Sequence, residues 1–154
     1  MSEGGPDPRR EVTTRTADGT ASLGAEIARS LRPGDVVIVS GELGAGKSTL
    51  IRGAARALGV TGAVPSPSFT LGRRYVGAEA DVSHLDLYRL ATLEGEDPSL
   101  LHDYLTADAI SFVEWPEVAE PEIRSTAAAN GGRVIEVAIE PGGELERIVE
   151  IQGA

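Results

Sequence analysis

Residues 36–58 read VVIVSGELGAGKSTLIRGAARAL, and this stretch decides the fold. The four apolar residues 36–39 predict a fully buried strand, and apolar side chains at helical spacing predict a helix over residues 49–58, which Gly59 ends. Between the two, residues 41–48 satisfy the pattern G-x-x-x-x-G-K-[ST] in full. A strand, a glycine-rich loop and a helix in this order form the context in which the pattern binds phosphate groups.

The residue types of this loop suit a nucleoside triphosphate. Glycines let the backbone fold tightly around an anion, with successive N–H groups pointing inward. Lys47 can reach the outer phosphates, and the Ser48 hydroxyl can ligate Mg²⁺. Lys47 is the only lysine in a chain that otherwise uses arginine for its cations. A compact ammonium fits a phosphate loop, whereas a wide planar guanidinium does not.

The composition is that of one globular domain of 154 residues, with 41% hydrophobic and 25% charged residues. No apolar run approaches the ~18 residues that span a bilayer, and the N-terminal region lacks the parts of a signal peptide, so we expect a cytoplasmic protein without membrane contact. The absence of cysteine excludes disulfides and thiolate metal sites. A net charge of -10 argues against direct nucleic-acid binding, because phosphate backbones are held by clustered Lys and Arg.

The other segments near the N-terminus predict a layered α/β domain. Residues 1–12 lack periodicity and predict a mobile tail, so the domain spans residues 13–154 and begins with an edge strand over 13–16. An amphipathic helix is predicted over residues 20–31, because its apolar residues recur at every fourth position. Helix, strand, loop and helix at these spacings indicate a single-domain phosphate-loop NTPase fold, with a mostly parallel central sheet flanked by helices.

Four further elements are predicted toward the C-terminus. A strand is expected over residues 71–76 and a short helix over residues 99–105. Two runs, 134–139 and 145–151, flank a Pro-Gly-Gly sequence and predict an antiparallel β-hairpin at the edge of the sheet.

Residues 65–70 read PSPSFT. Two prolines separated by one residue forbid a helix and predict an extended, stiff loop. Such a loop can carry Ser68 or Thr70 to the γ-phosphate and the metal, as switch loops do. A surface connection without any chemistry fits the same pattern equally well.

Two carboxylates follow apolar runs. Asp86 lies near the end of a predicted strand in HLDLYRL, where phosphate-loop enzymes need a carboxylate that holds Mg²⁺ directly or through water. Glu114 and Trp115 follow the apolar strand 109–113, at the edge where α/β folds place ligand-facing groups. In the alternative, Trp115 packs on the core and Glu114 faces solvent. His84 is interpreted as a partly buried structural residue.

Four stretches, GELGAGKSTLIRGAARALG, VPSPSFTL, HLDLYRL and VEWPE, occur in this order in a short chain. Together they closely resemble the TsaE (YjeE) family, small bacterial ATPases required to make threonylcarbamoyladenosine beside the anticodon of tRNAs. The resemblance runs from Thr16 to Glu117, and four motifs in register are more specific than a phosphate loop alone. It implies ATP or ADP and Mg²⁺ as the ligands.

The resemblance also implies roles for single residues. Lys47 and Ser48 match the family's phosphate-loop lysine and its hydroxyl ligand of Mg²⁺, where most members have Thr. Asp86 matches the Walker B aspartate. Glu114 and Trp115 match a Glu-Trp pair beside the nucleotide, with Glu114 the group that orients or activates the attacking water.

Ser68 matches the end of the family's usual Ser-Pro-Thr switch motif and keeps its hydroxyl. The predicted catalytic residues are Lys47, Asp86 and Glu114, and the predicted metal ligands are Ser48 and Asp86. The residues predicted to bind nucleotide are Glu42, Leu43, Gly44, Ala45, Gly46, Lys47, Ser48, Thr49, Ser68 and Trp115.

The family resemblance implies partners as well. Members of the family dock on a complex of TsaB and TsaD, and TsaD transfers the threonylcarbamoyl group to tRNA. ATP hydrolysis by the family member resets that complex between turnovers. We therefore expect an Mg-dependent ATPase of low basal activity that TsaB and TsaD stimulate, and contact with tRNA only through them. The acidic net charge is consistent with this expectation.

Two other functions are open on the residues alone. A small-molecule kinase would need a substrate pocket and an arginine-bearing lid, for which Arg73, Arg74, Arg89 and Arg124 are candidates. A nucleotide-binding module with negligible turnover also fits, because intrinsic hydrolysis at such loops can be as slow as ~10⁻⁴ s⁻¹. A GTPase does not fit, because its guanine-reading N-K-x-D motif requires a second lysine.

Overall fold

The computed structural model describes residues 9–42, 44–62, 64, 72–88 and 99–153. Across these residues, no helix combines the length and the apolar character that a membrane crossing needs. In chain order the elements are β1 (Arg9–Thr14), α1 (Ala17–Ala28), β2 (Val36–Ser40), α2 (Lys47–Ala57), β3 (Gly72–Tyr75), β4 (Asp81–Asp86), α3 (Ser99–Tyr104), β5 (Ala109–Glu114), a 3₁₀ helix (Pro116–Val118), α4 (Glu120–Ala129), β6 (Val134–Pro141) and β7 (Arg147–Gln152).

The strands form one seven-stranded sheet in the order β1-β7-β6-β2-β5-β4-β3. The central strands β6, β2, β5 and β4 run parallel to one another, while β7 is antiparallel to both β1 and β6, and β3 is antiparallel to β4. Because two antiparallel pairings restore the direction, β1 points the same way as the central strands. The predicted single-domain α/β class with a mostly parallel sheet is confirmed.

Helices cover both faces of the sheet. Successive residues of a strand point to opposite faces. Val37 and Val39 of β2 lie in one apolar cluster with residues of α1 and α2, while Val36 and Ile38 lie in a second cluster with residues of α3 and α4. A strand that is buried on both faces requires a continuous apolar run, which explains why residues 36–39 show no polar alternation.

Glycines at the contact let α1 and α2 pack closely. A Cβ on Gly24 would lie 2.0 Å from the carbonyl oxygen of Leu50, and a Cβ on Gly53 would lie 2.0 Å from that of Ala21. The backbone of α1 therefore determines where α2 can lie. Since α2 begins at Lys47, this contact also positions the end of the glycine-rich loop.

The first strand begins earlier than predicted. Residues 9–12 pair with β7 and belong to the sheet, not to the mobile tail predicted for residues 1–12; residues 1–8 lie outside the described residues. Backbone pairing forms this strand although its side chains are mostly exposed, so hydrophobic periodicity does not reveal it. Thr16, predicted to end the strand, instead caps α1 by accepting a hydrogen bond from the Gly19 N–H at 2.9 Å.

The predicted C-terminal hairpin is present as β6 and β7, but its predicted place at the edge of the sheet is wrong. β6 pairs with β2, and β1 covers β7, so both hairpin strands have a neighbour on each side. Periodicity can indicate that two runs pair with each other. It does not show which other strands flank them.

α4 lies where the sequence pattern predicts no element. Its buried face consists of Ile123, Thr126 and Ala127, and only one of these is a large apolar residue. The alanine- and glutamate-rich composition therefore hides the helical period. The extended loop predicted over residues 65–70 lies outside the described residues.

Candidate active site

Three parallel strands end side by side at one edge of the sheet. Glu114, the last residue of β5, is in register with Val39 of β2 and with Asp86 of β4. The glycine-rich loop leaves the sheet directly after β2, so the loop and both predicted carboxylates meet at this edge. Neighbouring strands lie about 4.8 Å apart, which makes Asp86 and Glu114 immediate neighbours.

The backbone of the Gly41–Ser48 loop needs its glycines. The φ values of Gly41, Gly44 and Gly46 are 147°, 79° and 108°, and residues with a Cβ rarely adopt such values. A Cβ on Gly41 would also lie 2.2 Å from the carbonyl oxygen of Ile139 in β6. Gly46 is the N-cap residue of α2, so the loop ends at the positive end of a helix dipole. Such a helix start favours an anion.

Lys47 is nearly enclosed at the end of this loop, with 5% of its surface exposed. Its ammonium donates hydrogen bonds to the carbonyl oxygens of Gly41 and, at 3.2 Å, of Glu42. It also lies 4.1 Å from the centroid of the Trp115 ring, a cation–π contact of about 0.5–2 kcal/mol. The carbonyls use two of the three ammonium donors, which leaves the third for a further acceptor.

Carboxylates surround this ammonium. Burial lowers the pKa of Lys47, and the negative charges of Glu114, Asp86 and Glu117 oppose this shift of the pKa. Burial raises the pKa of Asp86. The Tyr88 N–H, which donates to Asp86 Oδ1 at 3.0 Å, partly lowers that pKa, and the Glu114 charge raises it further. A second cation placed near Asp86 would relieve the repulsion between these carboxylates.

Trp115 has a left-handed backbone, with φ and ψ both at 57°, and it is the single non-glycine residue with positive φ in the part of the chain that the structure describes. This conformation costs about 1–2 kcal/mol, and residues that adopt it cluster at functional sites. The Trp115 ring contacts both the Lys47 ammonium and the Tyr88 ring, whose centroid is 4.9 Å away. Trp115 also packs at the margin of the core, so packing on the core and a position beside the candidate site are compatible for this residue.

Glu114 is 4% exposed, so the alternative in which it faces solvent is wrong. Its Oε2 lies 2.6 Å from Nε2 of His84, which is itself only 1% exposed and thus fully rather than partly buried. His84 precedes Asp86 by two residues on β4 and therefore points to the same face. That spacing is visible in the sequence, but only the register between β4 and β5 shows that the face is shared with Glu114.

An open pocket of about 300 Å³ lies beside the loop, toward α1. Arg147 of β7 forms part of its wall and donates from Nε to the carbonyl oxygen of Ala45 at 3.0 Å. The C-terminal hairpin therefore contacts the loop, although Arg147 is 102 positions from Ala45 in the sequence and no motif marks it. The pocket is lined by Arg15, Thr16, Ala17, Thr20, Gly44, Gly46, Thr49, Leu145 and Arg147.

Most of the predicted site residues come together at this edge of the sheet. They are Glu42, Gly44, Ala45, Gly46, Lys47, Ser48, Thr49, Asp86, Glu114 and Trp115. Leu43, Ser68 and Thr70 lie outside the described residues, so the switch-loop role stays a prediction.

The oxygen donors at this edge fit Mg²⁺ when phosphates complete its coordination. Mg²⁺ in proteins usually takes one or two carboxylates, with substrate phosphates and waters as the other ligands. The Asp86 carboxylate and the Ser48 hydroxyl are the groups that would supply such a partial set. Within the described ranges, no three His, Asp or Glu side chains are arranged to hold a metal ion by themselves.

The fold and this edge define a class of protein: a three-layer α/β domain with a loop suited to anions at the carboxyl ends of its parallel strands. The chain belongs to the TsaE family, described as "Threonylcarbamoyl adenosine biosynthesis protein TsaE", which matches residues 14–147. The family resemblance predicted from the four motifs is thereby confirmed.

Relatives from three bacteria carry the name tRNA threonylcarbamoyladenosine biosynthesis protein TsaE. The chain is 45% identical to the protein of Streptomyces coelicolor over 97 residues, 62% of this chain and 66% of that protein. Identity is 42% over 113 residues with that of Mycobacterium leprae (68% and 70%) and 36% over 114 residues with that of Bacillus subtilis (74% and 69%). These matches span about two thirds of the relatives' own lengths.

A solved structure has the same fold. The crystal structure of Bacillus subtilis YdiB superimposes with a TM-score of 0.76 at 25% identity, covering 97% of this chain and 88% of that one.

Proposed function

We propose that this chain binds Mg-ATP at the Gly41–Ser48 loop and hydrolyses it as a component of the machinery that makes threonylcarbamoyladenosine in tRNA. The observation that carries the chemical part is the enclosed Lys47 ammonium, which lies at a helix start beside two carboxylates on adjacent strand ends. The name shared by its relatives supports the pathway.

The loop would hold the phosphates. Lys47 already donates to Gly41 and Glu42, so its third N–H would be directed to a phosphate oxygen without loss of the loop contacts. Asp86 and the Ser48 hydroxyl would hold Mg²⁺, which supplies charge neutralisation at the transferred phosphate. The pocket of about 300 Å³ toward α1 would take the nucleoside part, because it adjoins the loop at Gly46 and Thr49.

Glu114 would orient or activate the attacking water. It is buried at the same edge as Lys47, and its position opposite Asp86 places it beside the metal ligand. Trp115 would cover the Lys47 side of the site and exclude bulk water, which strengthens the electrostatic interactions within it.

TsaB and TsaD are the proposed partners, and tRNA would be reached only through them. The net charge of -10 disfavours direct contact of this chain with RNA. Partner contact would order the predicted switch loop around Ser68 and so raise a low basal rate of hydrolysis.

A small-molecule kinase receives less support. Arg74 pairs with Asp81 and Asp108, and Arg124 pairs with Glu120 and Glu136, so both candidate guanidinium groups already have partners; Arg89 lies outside the described residues. The kinase remains an outcome that the following experiment would detect.

The test is ATP turnover by the purified chain, alone and with TsaB, TsaD and tRNA from the same organism. We expect slow turnover that rises with the partners, and modified adenosine that accumulates over many cycles only when the chain is present. Lys47→Ala should reduce turnover at least about 10²-fold while the protein stays folded. Arg10→Ala removes the same charge at an exposed surface pair with Glu26 and should leave turnover unchanged.

Two results would contradict the proposal. The first is turnover by Lys47→Ala equal to that of the wild type. The second is no response to the partners together with transfer of phosphate to a small-molecule acceptor, which would establish the kinase instead.

A further inference from the structure

The contact between His84 and Glu114 is closed to water. The two residues are 1% and 4% exposed, and His84 Nε2 lies 2.6 Å from Glu114 Oε2. A carboxylate that loses its water needs a protein donor to replace it. Asp86 stands opposite Glu114 in the register, and two adjacent carboxylates repel each other unless donors hold them in place.

The other ring nitrogen indicates where the proton lies. Nδ1 of His84 is buried and has no hydrogen-bond partner within the part of the chain that the structure describes. A ring protonated on Nδ1 alone would turn the lone pair of Nε2 toward Glu114, although a carboxylate oxygen only accepts, and its Nδ1–H would have no acceptor among the described residues. A proton on Nε2 gives Glu114 its donor. The geometry therefore favours a proton on Nε2, with Glu114 Oε2 as acceptor.

We propose that His84 is a positioning residue that fixes the direction of the Glu114 carboxylate. The hydrogen bond occupies Oε2, and the buried ring on β4 cannot readily turn away. The lone pairs of the other oxygen then have a defined direction in which to accept a hydrogen bond from the attacking water. This role in the reaction rests on the function proposed above, whereas the contact itself does not.

Two amides test the role as a matched pair. His84→Gln places its amide nitrogen close to the position of the imidazole Nε2, and it can still donate to Glu114. His84→Asn carries the same amide one carbon shorter, near the position of Nδ1, and does not reach. Both variants are neutral, polar and buried, so a stability defect should affect them similarly.

We expect kcat for partner-stimulated hydrolysis to fall about 10²-fold in His84→Asn and to stay within about threefold of wild type in His84→Gln. Nucleotide affinity should be unchanged within about twofold in both variants, since binding relies on the loop. Trp115, the only tryptophan, reports that affinity by fluorescence from beside Lys47. In a Glu114→Gln background, His84→Asn should cause no further loss, because the effect passes through Glu114.

A spectroscopic measurement decides the contact without any turnover. The chain has two histidines, so His102→Gln assigns the imidazole ¹⁵N signals. We expect His84 to show a slowly exchanging proton on Nε2, and that proton signal to shift in Glu114→Gln.

The possible failures are distinguishable. If the wild type neither binds nor hydrolyses nucleotide, the proposed function fails, and the ¹⁵N spectrum alone decides the contact. If the wild type turns over and His84→Asn keeps its kcat, or His84→Gln loses as much as His84→Asn, the positioning role is refuted. An Nε2 of His84 without a proton would overturn the proposed hydrogen bond in either case.

Discussion

Gly53→Ala should destabilise the protein, although helix propensity alone predicts the reverse. In an exposed helix interior, replacing Gly by Ala stabilises by about 1 kcal/mol. At Gly53 the added Cβ would lie 2.0 Å from the carbonyl oxygen of Ala21, and 2.6 and 2.7 Å from its carbonyl carbon and Cα. These are backbone atoms of α1, so no side-chain rotation can relieve the overlap.

The size of the effect follows from the contact. An ordinary contact distance is about 3.5 Å, so α1 and α2 must separate by about 1.5 Å at this point. Overpacking of this kind costs about 1–3 kcal/mol, and three overlapping backbone atoms place Gly53→Ala at the upper end. After the gain in propensity, we expect a net loss of about 2 kcal/mol in the free energy of unfolding. For a domain of this length, that loss lowers Tm by about 4–8 °C.

Thermal and urea unfolding of wild type and variant measure this loss. Ala57→Gly, at the exposed last residue of the same helix, gives a lower bound on the propensity difference. Gly24→Ala should cost a similar amount, because its Cβ would lie 2.0 Å from the carbonyl oxygen of Leu50 at the same crossing. The double variant should lose less than the sum, since helices already separated by one clash accommodate the other. An unchanged or raised Tm for Gly53→Ala would show that the close helix contact does not constrain this fold.

Two further predictions concern the ion pair between Arg133 and the buried Asp35, and the C-terminal hairpin. Burial alone would raise the pKa of Asp35, but hydrogen bonds from Arg133 and from the Arg32 N–H outweigh it and hold the pKa below its ordinary value of 3.8. The ionised Asp35 therefore stabilises the fold fully above the unfolded-state pKa, and this stabilisation is lost as the pH falls through the lower folded-state pKa. Asp35→Asn should cost about 2 kcal/mol of unfolding free energy at pH 7. The difference between wild type and variant in urea unfolding should shrink below about pH 4. A pH-independent difference would contradict this assignment. Arg147→Ala should weaken nucleotide binding about fivefold, equal to about 1 kcal/mol, because the loop loses the hydrogen bond that Arg147 donates to Ala45. Fluorescence titration measures the affinity. An affinity equal to that of wild type would show that the hairpin does not support the loop.

Local patterns predicted the elements around the site well. The strand over residues 36–39, the helix that follows the loop and the strand before Glu114 are all present within one or two residues of their predicted bounds. Apolar runs, glycines and capping residues act within a few positions of each other, so the sequence displays them directly. Residues 9–12 of β1 and the whole of α4 escaped prediction because exposed side chains or small residues hide their periods.

The site, like the fold, combines features visible in short stretches of sequence with contacts between residues far apart in the chain. The sequence alone determined the glycine-rich loop, its single lysine, the two carboxylates at strand ends and the family to which the chain belongs. Only the tertiary structure decided that His84 faces Glu114, that Arg147 reaches the loop and that the hairpin lies inside the sheet. The physical reason lies in the central strands: they are buried on both faces, so their continuous apolar runs do not show which side chain faces which side. Strand order and register, which arise from packing of the whole chain, supply that information.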